Sequence, residues 1–235
     1  MRELVVEQMR CGYGGAPVVR DVSLRVASGQ VVCLAGRNGA GKTTLLRAIM
    51  GLLRPVGGSV RLDGLELTGL PAHLIPALGI GYVPQGRRLF PDLTVEENLR
   101  LALGVRRSGP RTLERAVGLF PALRDRMAQR ARTLSGGEQQ MVAIARALCT
   151  DPAFLLMDEP LEGLMPALVR TLLGTIRTLA DEGIGVLLVE QRIEAALQVA
   201  DVLLVLDAGR LCYEGTREEA ISQPDRWIRH LAVRR

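Results

Sequence analysis

The stretch Gly36-Arg37-Asn38-Gly39-Ala40-Gly41-Lys42-Thr43-Thr44 contains every fixed position of the pattern G-x-x-x-x-G-K-[ST]. Glycines at 36, 39 and 41 let the backbone curl so that successive N–H groups face one anionic centre. The N-terminus of a helix that follows adds its partial positive charge. Lys42 is then placed to reach the β- and γ-phosphates of a nucleotide, and the Thr43 hydroxyl to ligate Mg²⁺. Lys42 is also the single lysine of the chain; the rest of its 30 basic residues are arginine. A slim, flexible ammonium suits such a phosphate in a way that a planar guanidinium does not.

Two further groups of residues have chemistry in their spacing. Phe154-Leu155-Leu156-Met157-Asp158-Glu159 puts two carboxylates at the end of an apolar strand, the edge where ligands of α/β sheets gather. Asp158 is expected to hold Mg²⁺ through its water shell, and Glu159 to accept a proton from the water that attacks the γ-phosphate. Leu134-Ser135-Gly136-Gly137-Glu138-Gln139-Gln140 carries a capping box, Ser135 with Glu138, for a helix running on to Leu148. Two glycines in a first helical turn cost about 1 kcal/mol each. They make sense where bare backbone N–H groups must approach a ligand closely.

These groups need a scaffold of strands and helices. Leu4–Gln8 and Asp21–Val26 read as strands with Gly12-Tyr13-Gly14-Gly15 turning between them. Val31–Ala35 is a continuous apolar run, the pattern of a strand buried on both faces, and it feeds the glycine loop; Lys42 to Met50 then reads as a helix ended by Gly51. Strands are expected at Ser59–Leu62, Gly81–Val83, Phe154–Met157, Val186–Val189 and Val202–Val205, with helices over Pro166–Ala180 and Ile193–Leu197. From Thr94 to about Ala147 the pattern is helical, opened by the capping box Thr94 to Glu97 and broken at Gly109-Pro110. Strand and helix alternation implies a parallel sheet covered by helices, interrupted by a mostly helical insertion.

Composition excludes several classes. The 235 residues, 48% hydrophobic and 23% charged, suffice for a sizeable core. Apolar runs are strand-sized, far short of the roughly 20 residues that span a bilayer. The N-terminus lacks the apolar region of a secretory signal, so cytosolic residence is expected. Cys11, Cys33, Cys149 and Cys212 are widely spaced without neighbouring histidines, and are expected as small buried hydrophobes, not as a zinc or redox motif. A net charge of +5 is spread among acids, and aromatics make up only 3%, so no nucleic-acid partner is expected.

Taken together, the segment Leu134 to Gln140, the glycine loop and the paired acids resemble the ABC ATPases, with the motifs in the family's order over essentially the whole chain. The resemblance implies an α/β fold of the P-loop NTPase type: a RecA-like, mostly parallel sheet core, an N-terminal antiparallel β subdomain and an inserted helical subdomain. A single domain over 1–235 is implied, with the helical subdomain and signature motif at about 91–147 and a C-terminal tail from about 212. Tyr13 resembles the aromatic that stacks on adenine. Gln85, in Val83-Pro84-Gln85-Gly86-Arg87-Arg88, resembles the glutamine loop that touches Mg²⁺, beside a groove that receives a helix of the membrane subunit. Ser135, Gly136 and Gly137 would contact ATP held by a second subunit, so a head-to-tail dimer around two ATP molecules is implied. ATP and Mg²⁺ are the expected ligands.

Two positions depart from the family's commonest pattern. Glu190-Gln191-Arg192 stands where a switch histidine is usual, and Gln191 can donate a hydrogen bond to the γ-phosphate but cannot shuttle a proton. Glu159 would carry the base role alone. Met165, in Leu161-Glu162-Gly163-Leu164-Met165-Pro166, stands where many relatives have aspartate. With Gly86–Pro91 and Thr94–Leu99, these features resemble ATPases of branched-chain amino acid importers and their urea-importing cousins. That branch implies pairing of two different ATPases on two integral membrane permease subunits, with a periplasmic binding protein delivering substrate. The expected location is peripheral, at the cytoplasmic face of the inner membrane. The rival readings are a soluble ABC ATPase acting on ribosomes or DNA, and an ATP-binding clamp that hydrolyses poorly.

Overall fold

In the computed structural model, which describes residues 2–106 and 109–231, the chain opens with antiparallel strands β1 (Glu3–Cys11) and β2 (Val19–Ala27). It then enters β3 (Val31–Gly36) and, across the glycine loop, α1 (Lys42–Ile49). Next come β4 (Gly57–Leu62), β5 (Leu65–Glu66), α2 (Ile75–Leu78) and β6 (Ile80–Val83). The helical insertion holds α3 (Val95–Leu103), α4 (Pro110–Gly118) and, after two short 3₁₀ turns, α5 (Gly136–Leu148). Alternation then resumes with β7 (Phe154–Asp158), α6 (Pro166–Asp181), β8 (Gly185–Glu190), α7 (Ile193–Ala196) and β9 (Val202–Asp207). The chain continues through β10 (Arg210–Thr216), α8 (Arg217–Ser222) and α9 (Asp225–Ile228). The stretch from residue 212 therefore begins inside a strand and runs on into two short helices.

The strands form two sheets. One is antiparallel, in the order β2-β1-β4-β5; the other runs β10-β9-β3-β8-β7-β6, parallel throughout except for the antiparallel edge strand β10. The continuous apolar runs are explained by what covers each face. Cys33, Leu155, Leu188 and Leu203 point to a core shared with α5 and α6, whereas Leu34, Leu156, Leu187 and Leu204 point to a second core shared with α1 and the antiparallel sheet. A strand with only one covered face would alternate apolar with polar; these cannot. Both anticipated capping boxes are present, at Thr94 with Glu97 and at Ser135 with Glu138. A third, Thr216 with Glu219, starts α8.

Because five strands run parallel, their C-terminal ends lie along one edge. Gly36, Val83, Asp158 and Glu190 all end strands there, and the register pairs Ala35 with Glu190 and Asp158 with Val189. Gly36 pairs with Leu206, and a Cβ added to it would drive into the Leu206 carbonyl oxygen. Since backbone cannot swing aside as a side chain does, Gly36→Ala is expected to cost about 1–3 kcal/mol of stability. A lower melting temperature by circular dichroism checks this; an unchanged one would contradict it. Among the described residues no helix is long and apolar enough to cross a membrane.

Candidate nucleotide-binding site

The glycine loop leaves β3 and turns into α1 through two residues in the left-handed region, Gly39 (φ 78°) and Gly41 (φ 109°). No acidic residue occupies the first turn of α1, so the helix's N-terminal N–H groups present undiluted positive potential. A cavity of about 220 Å³ opens over this loop, lined by residues 38–44 with Val18, Gln85 and Glu159. Lys42 is only 4% exposed. Its Nζ donates to the carbonyls of Gly36 at 2.8 Å and Arg37 at 3.1 Å, and lies 3.4 Å from Glu159 Oε1. A buried ammonium needs such a ring of acceptors.

Beside it, Asp158 is buried at the end of β7. Its Oδ1 accepts the Thr43 hydroxyl at 3.1 Å, and its Oδ2 accepts the Tyr82 hydroxyl at 3.5 Å. Burial pushes the Asp158 carboxyl above its ordinary range, the neighbouring Glu159 adds to the rise, and the Thr43 hydrogen bond with Lys42 and Arg47 opposes it. A divalent cation between these oxygens would favour the ionised form. The hydroxyl of Thr43, the carboxylate of Asp158 and the amide carbonyl of Gln85 make an oxygen donor set of the kind Mg²⁺ takes. All three line one cavity of about 510 Å³ that adjoins the glycine loop.

Glu159 is strained and well held. Its φ is +51°, its N–H donates to the Val189 carbonyl at 2.9 Å, and Pro160 follows it. A non-glycine residue in the left-handed region costs of order 1–3 kcal/mol and persists where its surroundings dictate it. The Oε2 of this carboxylate accepts Nε2–H bonds from Gln191 at 2.6 Å and Gln85 at 3.3 Å. Gln85 donates as well to Glu162 at 3.1 Å. Lys42, Gln85 and Gln191 thus converge on one carboxylate from three separate loops.

The pattern of this site, with its strand order and inserted helices, is that of one family. Residues 19–162 match the ABC transporter family. This chain is an ABC transporter ATPase. The high-affinity branched-chain amino acid transport ATP-binding protein BraG of Pseudomonas aeruginosa is 43% identical, the match covering 90% of this chain and 92% of that protein. The lipopolysaccharide export system ATP-binding protein LptB of Escherichia coli is 37% identical over 94% of this chain and 93% of its own length. Among solved structures, a nucleotide-free ATP-binding cassette from an ABC transporter superposes with a TM-score of 0.84 at 27% identity, covering 96% of this chain and 97% of that one.

In the ABC ATPase, Ser135, Gly136 and Gly137 do not line the cavity over the glycine loop; they start α5 in the inserted subdomain, with Ser135 exposed. The glycines have a packing role besides any ligand role. A Cβ on Gly137 would run into the Leu168 side chain of α6, and one on Gly136 would stand 2.9 Å from the Arg87 guanidinium. Tyr13, 59% exposed in the β1–β2 turn, accepts a hydrogen bond from Arg47 at 3.0 Å, which ties it to α1.

Several site residues escape the sequence reading. Tyr82, Glu162, Arg47 and Glu190 all join the network, yet the first three belong to no recognisable pattern of spacing. Glu190 is the exception with a signal, since an acid that ends an apolar strand repeats the arrangement of Asp158. One expectation about cysteine fails: Cys11, Cys33 and Cys149 are buried, but Cys212 is exposed, because β10 is an edge strand with one uncovered face. The fold also brings Cys212 near Asp207 and His230, their donor atoms within 4.8 Å of one another. Among the described residues no fourth donor completes the set a structural zinc takes.

Proposed function

We propose that this ATPase is the motor subunit of an importer for branched-chain amino acids, working at the cytoplasmic face of the membrane as one half of a head-to-tail pair. The observation that carries this reading is the separation of Ser135–Gly137 from the cavity over residues 38–44. Each chain builds half a site, and the partner's Ser-Gly-Gly completes it. ATP then lies with its phosphates on the amides of Gly36 to Thr44 and on Lys42, and its adenine against Tyr13. Thr43, Gln85 and Asp158 would hold Mg²⁺, which would supply neutralisation of the phosphate charge. Glu159 takes the proton of the attacking water, and Gln191 orients Glu159 and donates to the γ-phosphate.

Coupling to the membrane has a surface suited to it. A groove of about 520 Å³ beside the glutamine loop is lined by Leu52, Pro76, Tyr82, Phe90 and Leu101, with Leu52 and Phe90 more than half exposed. Arg146 of α5 lies over the Phe90 ring and donates to the Arg88 carbonyl at 2.7 Å, so a helix seated in the groove would be felt at the signature helix. Identity to BraG favours amino acid import over urea import or lipopolysaccharide export. In this reading the second ATPase is a different chain, two permease subunits span the membrane, and a periplasmic binding protein delivers substrate.

Purification of the tagged chain from detergent-solubilised membranes tests the class. Recovery of membrane subunits, and ATP-driven uptake of labelled leucine once they are reconstituted, supports the reading. Recovery of ribosomes with no membrane protein would end it, and uptake of urea alone would move the substrate to the cousin branch.

A further inference from the structure

Glu190 ends β8 at 2% exposure. Its Oε1 accepts the Leu161 N–H at 2.8 Å and its Oε2 accepts the Gln191 N–H at 3.3 Å. Leu161 stands two residues after Glu159, and Gln191 is the residue whose amide reaches Glu159 at 2.6 Å. One carboxylate therefore pins the backbone on both sides of the Glu159–Gln191 contact. Two N–H donors, one on each oxygen, call for a group that accepts at both ends and carries no proton of its own, which a carboxylate is and a glutamine amide is not. Burying an acid for this purpose is costly: burial, with the charge of Glu159 nearby, pushes the Glu190 carboxyl up to about 7, against the pull of the N–H groups.

We propose that Glu190 is a positioning residue for ATP hydrolysis, its carboxylate clamping the backbone at Leu161 to that at Gln191 and so holding the Gln191 amide on Glu159. The proposal rests on the reading of Glu159 as the base. Among the described residues no side-chain hydrogen bond of Glu190 reaches the glycine loop, so losing its carboxylate leaves the phosphate cradle in place. The geometry that suffers is that of the proton acceptor.

The test compares Glu190→Gln, Glu159→Gln, Gln191→Ala and the double variant Glu190→Gln/Gln191→Ala in the full chain at pH 8. Phosphate release gives kcat and KM, a fluorescent ATP analogue gives Kd, and a thermal melt reports folding. Expected for Glu190→Gln is a kcat lower by about 10- to 100-fold, the scale of a reacting group displaced by about an ångström. KM and Kd stay within about twofold, which marks a loss confined to the chemical step. In the Gln191→Ala background the same substitution adds less than about twofold, because its effect runs through Gln191. An unchanged kcat, an equal loss in both backgrounds, or a loss matching the fraction of unfolded protein would each overturn the proposal. Should Glu190→Gln not fold, Glu190→Asp, which keeps the charge and shortens the reach to Leu161, carries the same expectation. A silent Glu159→Gln beside an impaired Glu190→Gln would overturn the base assignment, while the double-variant cycle still reads the clamp.

Discussion

Lys42→Arg keeps the positive charge and is expected to lower ATP turnover by roughly 10²- to 10³-fold, the loss typical when one electrostatic contact to the developing charge is removed. The reason lies in how Lys42 is held. Its ammonium sits among the Gly36 carbonyl, the Arg37 carbonyl and Glu159 Oε1, acceptors that approach one small nitrogen from different directions. An ammonium offers three donors in a tetrahedral spray, whereas a guanidinium offers a flat fork that needs a coplanar partner and more room. The Lys42 site is almost closed to solvent, so the larger head would displace the loop whose amides cradle the phosphates. Phosphate release and a fluorescent-nucleotide titration check the prediction together, with a thermal melt to establish folding. A folded Lys42→Arg variant turning over within tenfold of the parent would show that charge alone suffices there.

Glu159→Gln should slow turnover further, by about 10²- to 10⁴-fold, the range that a positioned general base contributes, while leaving ATP binding intact. The amide is nearly the same size and can still meet Gln85 and Gln191, but it cannot take a proton. It also releases Lys42 from its ion pair at 3.4 Å, so the ammonium gains freedom to engage phosphate and affinity is expected to hold or rise. Single-turnover hydrolysis measured beside nucleotide affinity separates the two effects. Equal losses in both would mean that Glu159 serves the architecture of the loop and not the proton transfer.

What could be seen in the sequence was whatever physics writes locally. The apolar run Val31–Ala35 reads as a strand covered on both faces, and it is one, because Cys33 reaches one core and Leu34 the other. The glycine loop was legible because its backbone needs left-handed φ at Gly39 and Gly41, which glycine supplies without strain. The paired acids were legible because charge at the end of a buried strand is costly unless used. Elements set by tertiary pairing were not: β5 has two residues, α2 has four, and β10 carries no strong alternation and exists because β9 offers it an edge. The close fit of Gly137 against Leu168 was likewise invisible, since those positions meet only when α5 and α6 pack. Glu190 shows the limit most clearly. Its neighbour Gln191 departs visibly from the family's commonest pattern, yet the role of the acid depends on Leu161, 29 positions away.

The level ends of the parallel strands set a rule for how such a chain can change length over generations. One residue inserted within β8 would shift Glu190 and Gln191 off the row that Ala35 and Asp158 define, and would turn Leu187 and Leu188 each toward the other's core. Packing and chemistry would fail in the same event. Inheritable insertions are therefore confined to places that leave strand parity alone, such as the connection that follows α4.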